Sequence, residues 1–161
     1  MKKKKQDLFG GMIDLQIINL ADAKCLIEQY VDLRNMYKKE LLTDIVTVSE
    51  TINWLKHARV HVVVAVDCNE LIGAATLYLD KNAEIAIFTK KHRSGVASAL
   101  LNNIKLDARD IFLLNDIWAW IADNNVKSSN LFEKNGFIKK MSICKQYNGK
   151  LFSGGVYEYV L

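Results

Sequence analysis

Three β-rich runs follow one another almost without pause: HVVVAVD (61–67), ELIGAATLYL (70–79) and AEIAIFT (83–89). The joints between them are too short for anything but chain reversal. Asp67-Cys68-Asn69 is a hairpin signal, so the first two runs pair antiparallel and the third extends a meander. The next segment changes the geometry. A helical stretch, Gly95 to Ala108, separates the meander from DIWAWIA (116–122), which is again a strand. Strand, helix, strand implies one parallel crossover inside a sheet that is otherwise antiparallel. Few folds meet both demands.

The flanks add to this frame. Met12 to Ile18 reads as a short strand. Asn19 or Asp22 can cap the helix that follows, because a short polar side chain accepts from the free amides of a first turn. Leu26, Ile27, Tyr30, Val31, Leu33 and Arg34 give that helix a largely apolar stripe of period 3.6. Lys38 to Val48 has no clear period and reads as a mobile connection. Ser49 to His57 is a second helix with Ser49 as its cap. Beyond DIWAWIA, Val126 to Lys134 is a short helix ended by Asn135-Gly136, since glycine suits the left-handed C-terminal turn. Phe137 to Tyr147 and Leu151 to Leu161 are strands around Asn148-Gly149. The order is β-α-α-β-β-β-α-β-α-β-β. There is no internal repeat and no linker. A single domain over residues 12–161 is expected, behind a basic tail at 1–11 that begins MKKKK.

Composition limits the class of function. Half of the 161 residues are hydrophobic, which is enough for a full core. The net charge of +4 favours anionic partners slightly. No apolar stretch reaches the ~18 residues of a membrane span. Cys25, Cys68 and Cys144 are far apart and outside any CxxC, as expected for reduced thiols in a cytoplasmic protein. The histidines show no ligand spacing, so no metal site is expected.

The stretch KKHRSGVASALL (90–101) poses the functional question. It joins an apolar strand to a helix with small residues and a basic cluster. A helix N-terminus carries about four unpaired amides and a partial positive charge, which together bind anions. Gly95 and Ala97 let a bulky anion approach the backbone. Lys90, Lys91, His92 and Arg93 add charge beside it. A pyrophosphate fits such a site well. A basic surface turn would look the same on this segment alone, because the pattern is neither GxxxxGK nor GxGxxG.

A second segment decides between these. NNVKSSNLFEKNGF (124–137) follows the strand DIWAWIA. With it the chain resembles the GNAT superfamily of acyl-CoA-dependent N-acyltransferases. That family carries Q/R-x-x-G-x-G/A after its fourth strand and N-x-x-A/S-x-x-L-Y-E-K-x-G-F after its fifth. His92 to Ala97 stand at the first motif. Asn125, Ser128, Leu131, Phe132, Glu133, Lys134, Gly136 and Phe137 stand at the second. The order of elements agrees from residue 12 to the end.

The resemblance implies an α+β, three-layer fold. Its mixed, mostly antiparallel sheet has about seven strands, with helices on both faces and strands four and five splayed. It implies acetyl-CoA as acyl donor, with the amides of Arg93, Ser94, Gly95, Val96, Ala97 and Ser98 on the pyrophosphate. The edge Ile85 to Phe88 would pair with the pantetheine amides, Ile87 foremost, and Asn125 would bond the same arm from the other side, near Ser128. The amide of Ile87 would polarise the thioester carbonyl. Two departures stand out. His92 replaces the usual glutamine or arginine and brings a group that titrates near neutral pH. Phe132 stands where many members have the tyrosine that protonates the leaving thiolate.

The acceptor is expected to be a primary amine of a small molecule or peptide, acetylated by direct attack in a ternary complex. Glu84, on strand four, is the first candidate for the base, with Asp80 and Asp123 behind it. Tyr157 and Tyr159 alternate on the last strand and share one face, from which either can reach an acceptor or donate a proton, with core or sheet-face packing expected for at least one of them. LRN (33–35) followed by TINWLK (51–56) resembles, more narrowly, members that acetylate amino groups on nucleotide-linked sugars. A non-catalytic CoA-binding module is the alternative of another class. Nucleic-acid binding is disfavoured, because no strand interleaves aromatic with basic residues as single-strand binders do. Trp118 and Trp120 read as sheet-face packing. The apolar GGVYEYVL at the C-terminus is compatible with a homodimer.

Overall fold

The computed structural model describes residues 5–6, 12–13, 15–91 and 93–161. Seven strands make one sheet: β1 (Gln16–Asn19), β2 (Val60–Asp67), β3 (Glu70–Tyr78), β4 (Glu84–Thr89), β5 (Asp116–Ala122), β6 (Ile138–Tyr147) and β7 (Lys150–Val160). Their spatial order is β1-β2-β3-β4-β5-β7-β6, and every neighbour is antiparallel except β4 with β5. The run expected at 12–18 is broken in two. Met12–Ile13 pairs with Lys5–Gln6 in a separate two-stranded ladder, and only Gln16–Asn19 joins the main sheet.

Both hairpins turn through left-handed residues, as two-residue loops demand. These are Cys68 (φ 48°) and Asn69 (φ 66°) between β2 and β3, and Asn148 (φ 48°) and Gly149 (φ 73°) between β6 and β7.

Helices cover both faces. On one face lie α1 (Ile27–Met36), a single turn α2 (Lys38–Leu41), and α3 (Val48–His57). On the other lie α4 (Val96–Asp110) and α5 (Val126–Lys134). The sheet's two sides give two cores. Tyr30, Leu33, Val62, Val64 and Phe88 belong to one; Leu100, Ile104, Ile117, Ile121 and Phe132 belong to the other. Among the described residues, no helix is long and apolar enough to cross a membrane.

Two local expectations are corrected. Thr47, not Ser49, caps α3. Its hydroxyl accepts from the Glu50 amide at 3.2 Å while the Glu50 carboxylate accepts from the Thr47 amide at 2.7 Å, a reciprocal box. The Thr47 amide and the Thr47 hydroxyl, which donates at 2.8 Å, both bond the Glu50 carboxylate and hold it below its usual range. The connection 38–48 is also built rather than loose. The Asn35 side chain donates to Val46 O at 2.9 Å and accepts from Val46 N at 3.0 Å, a pairing like that of a strand. Leu42 ends α2 in the left-handed region at φ 51°, and Thr43 N donates back to Lys38 O.

Candidate active site

The site begins where two strands part. β4 and β5 share one ladder pair, Glu84 with Trp118, next to a bond from Trp118 N to Ala83 O of 3.2 Å. Beyond that pair their residues have no ladder partners across the seam. On the other edge of β4 the antiparallel ladder with β3 runs on, through Lys90 N to Ile72 O at 2.8 Å. Backbone direction alternates along a strand. Since Ala83 faces β5 and Lys90 faces β3, the N–H and C=O of Ile85, Ile87 and Thr89 face the open seam. The structure thus places the expected edge, Ile85 to Phe88, at the gap, with Ile87 at its middle.

Two cavities adjoin there and share Ile87, Phe88, Asn125 and Ser128 as common walls. The larger, about 850 Å³, runs along the N-terminus of α4. Gly95 stands at the helix cap with φ +79°, and no side chain caps the first turn. The left-handed backbone favours glycine here, although a Cβ would meet nothing within 4 Å. The amides at the start of α4 therefore open onto the cavity, whose lining includes Arg93, Ser94, Gly95, Ala97 and Ser98. Val96 differs, because its side chain is 2% exposed and belongs to the core. Only its backbone is available at this site. His92 lies outside the described residues.

The basic cluster is partly spent inside the protein. Arg93 Nη2 donates to Asp67 Oδ2 at 2.6 Å, and Lys90 pairs with Glu70, both acids at the β2–β3 turn. That pairing holds the Glu70 carboxyl below its usual range. The cavity gains other cations that the sequence reading passed over. Lys127 and Lys134 of α5 line it together with Lys91. Their spacing of seven puts both on one helix face, a signal that was present but unread.

Asn125 is the hinge of the two cavities. It caps α5, its Oδ1 accepting from Ser128 N at 3.2 Å, so its Nδ2 is the group left for another partner. Phe132, 4% exposed, stands edge-on to Phe137 with ring centres 4.9 Å apart, and reaches the seam.

The smaller cavity, about 230 Å³, is built from side chains of many elements. Glu84, at the start of β4, accepts from Lys145 Nζ of β6 at 3.1 Å; the carboxylate is 16% exposed and the lysine 40%. Lys145 also lies over the Trp120 ring at 4.9 Å. Trp120 is pinned by Nε1 to Ile143 O at 2.9 Å, and Trp118 by Nε1 to Lys81 O at 3.1 Å. The roof is tied down by Tyr147, whose hydroxyl donates to Asp44 Oδ1 at 2.8 Å and whose pKa is raised, first by that bond. Tyr30 and Tyr78 form the α1 side, both with pKa raised by burial above all. Arg34, Tyr78, Lys145 and Tyr147 are cavity residues that sequence reasoning did not single out as site residues.

Some candidates fall elsewhere. Tyr157 does share a face with Tyr159, but it is the core face. It is 6% exposed and opposite Ala119, whose small side chain leaves room for the ring. Neither tyrosine lines the cavities. Tyr159 packs on Phe137 and lies under Lys105 Nζ at 4.4 Å. Asp80 and Asp123 are exposed outside both cavities, with Lys139 3.7 Å from Asp123. The histidines and acids form no group of metal-ligand type among the described residues.

Comparison with known proteins agrees with this geometry. The family model described as Acetyltransferase (GNAT) family matches residues 26–137. No curated protein matches the sequence. Among solved structures, the chain is similar to a ribosomal-protein-alanine N-acetyltransferase from Brucella melitensis, with a TM-score of 0.79 and 16% identity over 91% of this chain and 99% of that one. An N-acetyltransferase from Staphylococcus aureus Mu50 gives 0.79 at 18% identity, covering 91% and 98%. A spermidine N-acetyltransferase from Vibrio cholerae, solved with CoA and spermine, gives 0.75 at 19%, covering 91% and 95%. The seven-stranded mixed sheet, its splayed parallel pair and the family match lead to one conclusion: the chain belongs to the acetyltransferase (GNAT) family.

Proposed function

We propose that the protein transfers an acetyl group from acetyl-CoA to a primary amine of a small molecule or peptide, within a single domain over residues 12–161 of a cytoplasmic protein. The observation that carries this reading is the junction of the two cavities at the β4–β5 seam. One has uncapped amides suited to a pyrophosphate. The other holds a carboxylate suited to an amine. The unpaired edge of β4 lies between them.

In the ternary complex the amine nitrogen attacks the thioester carbonyl carbon, loses a proton, and the carbon–sulfur bond breaks to release the thiol. Arg93 to Ser98 hold the pyrophosphate by backbone amides. Ile85 and Ile87 pair with the pantetheine arm as a strand would, and Asn125 Nδ2 closes on it from α5. The Ile87 amide polarises the carbonyl oxygen. Glu84 takes the proton from the amine, directly or through one water. Phe132 keeps the packing of the usual tyrosine and supplies no proton, so the thiolate leaves without help from that position.

Aromatic walls favour a narrower second reading. Tyr78, Trp120 and Tyr147 around the acceptor cavity suit the flat face of a sugar ring, as on a nucleotide-linked amino sugar.

The test is thiol release from acetyl-CoA in the presence of amine acceptors, with calorimetric binding of acetyl-CoA alongside. Turnover that needs both the amine and Glu84 supports the assignment. Binding without turnover of any amine points to a CoA-binding module. No binding at all removes the acetyl-CoA reading.

A further inference from the structure

Three cations line the cavity that holds Glu84: Arg34, Lys81 and Lys145. Only two carboxylates line it, Glu84 and the exposed Glu40 at its rim. Among the described residues, just one of the cations has a carboxylate within ion-pair distance, the Lys145–Glu84 contact of 3.1 Å. Lys81 lies 4.6 Å over the Tyr78 ring. Arg34 donates from Nη1 to the backbone oxygen of Asp44 at 3.1 Å and lies near the Tyr30 phenol, so the groups it meets there are neutral. Arg34 and Glu84 both act electrostatically on the Tyr78 phenol, and all three line the one cavity. A second, independent feature points the same way. Thr43 Oγ1, in the roof of this cavity, is buried and has no hydrogen-bond partner among the described residues.

An acceptor that is only a cation fits this arrangement poorly. Its ammonium must take Glu84 from Lys145, which leaves a half-buried lysine without a counter-charge. Each further positive charge, as on a polyamine, adds repulsion from Arg34 and Lys81. An acceptor with its own oxyanion removes both penalties. The amine goes to Glu84, and the oxyanion takes over Lys145. The Arg34 guanidinium supplies the planar donor fork that carboxylates and phosphates favour, and the Thr43 hydroxyl gains a partner.

We propose that the acceptor carries a carboxylate or phosphate beside its reacting amine, and that Lys145 and Arg34 select for it. The proposal rests on the acetyltransferase reading above and narrows its substrate class.

The experiment compares matched acceptors with the full chain and acetyl-CoA. The pairs are phosphoethanolamine with ethanolamine, glucosamine 6-phosphate with glucosamine, and alanine with alaninamide; spermidine is the polycation. Initial rates are read by thiol release, and binding of the same compounds to the CoA-loaded protein by calorimetry. Lys145→Met and Arg34→Leu remove the proposed anion contacts, while Lys145→Arg keeps the charge. The expected result is a preference of about tenfold or more in kcat/KM, or in affinity, for an anionic member over its neutral partner. That preference collapses in Lys145→Met and Arg34→Leu, returns in Lys145→Arg, and leaves acetyl-CoA affinity unchanged throughout. The phosphate and carboxylate arms tell which oxyanion is read. Equal or better use of the neutral members or of spermidine overturns the proposal and leaves the acetyltransferase reading intact. So does the absence of both turnover and binding for every anionic member while acetyl-CoA still binds. Loss of acetyl-CoA binding by the wild-type protein instead strikes the underlying reading.

Discussion

The two cavities that meet at the β4–β5 seam are made in different ways. The larger is a backbone device. The groups it offers a ligand are the uncapped amides of α4 and the unpaired edge of β4, drawn from one continuous stretch between Ile85 and Ser98. The smaller is a side-chain device. Arg34, Thr43, Tyr78, Glu84, Trp120 and Lys145 come from five strands and helices and one connecting loop. A backbone device tolerates change in side chains as long as the strand and helix meet correctly. A side-chain device can be retuned one residue at a time. A member of this family can therefore keep its acyl donor while its acceptor changes, and the contrast also predicts how each region should break.

The largest effect is expected from Glu84→Gln. It should lower kcat by about 10³-fold, within the range of general-base catalysis, with acetyl-CoA affinity unchanged in calorimetry. A loss of acetyl-CoA affinity instead would mean that the two regions are not separable. Ala97→Glu tests the other side. It puts a negative side chain at the mouth of α4 without touching the left-handed Gly95, and should weaken acetyl-CoA binding by about 100-fold while the melting temperature holds. Unchanged affinity would remove the helix N-terminus from the cofactor site. Gly154→Ala comes third. A Cβ there would lie 2.4 Å from Trp120, so overpacking should cost about 1–3 kcal/mol in denaturant unfolding and raise the acceptor KM through the displaced ring.

Two smaller effects sharpen the comparison. Thr47→Ala lies outside both cavities and should cost about 1 kcal/mol of stability with neither binding constant moved. Glu50, its partner in the cap, has a folded pKa below its unfolded one, so its contribution is full above the unfolded value and fades as pH falls through the folded one. Thr47→Ala keeps the backbone bond to Glu50 and loses the hydroxyl's, so stability scans at falling pH should show the gap to wild type narrowing; a constant gap would show that the hydroxyl–carboxylate bond adds nothing. Tyr147→Phe removes the roof bond to Asp44 and should raise acceptor KM about threefold, with acetyl-CoA affinity intact.

Legibility in the sequence follows the same division. The meander, the crossover and the α4 and α5 boundaries were readable because local chemistry fixes them. Asn-Gly and Asp-Cys-Asn turns and the glycine at a left-handed cap all act within a few residues of themselves. Glu84 was readable because it starts the strand that borders the seam. The side-chain pairings across the acceptor cavity were not. Lys145 meets Glu84 across 61 positions and Tyr147 meets Asp44 across 103, and no period or motif encodes such pairs. Tyr157 marks the boundary of the method. Alternation correctly put it on one face with Tyr159, but only the neighbouring Ala119 decided that this face turns into the core. Thr47 outcompeted Ser49 because only Thr47 has a glutamate three residues on to complete the reciprocal cap.

The single ladder pair between β4 and β5 has a mechanical consequence. β1 to β4, with α4 packed across them, form one plate, and β5 to β7, with α5, form another. Side-chain packing in the core under α4 and α5, side-chain bonds such as Lys145–Glu84 and Tyr147–Asp44, and one backbone bridge hold the plates together. A ligand strung along the gap acts as a rivet whose hydrogen bonds count toward the cooperativity of the whole sheet. Amide exchange along the rim of the gap should then slow far more on ligand binding than exchange in the β2–β3 hairpin, and the chain's resistance to pulling apart should depend on what it carries.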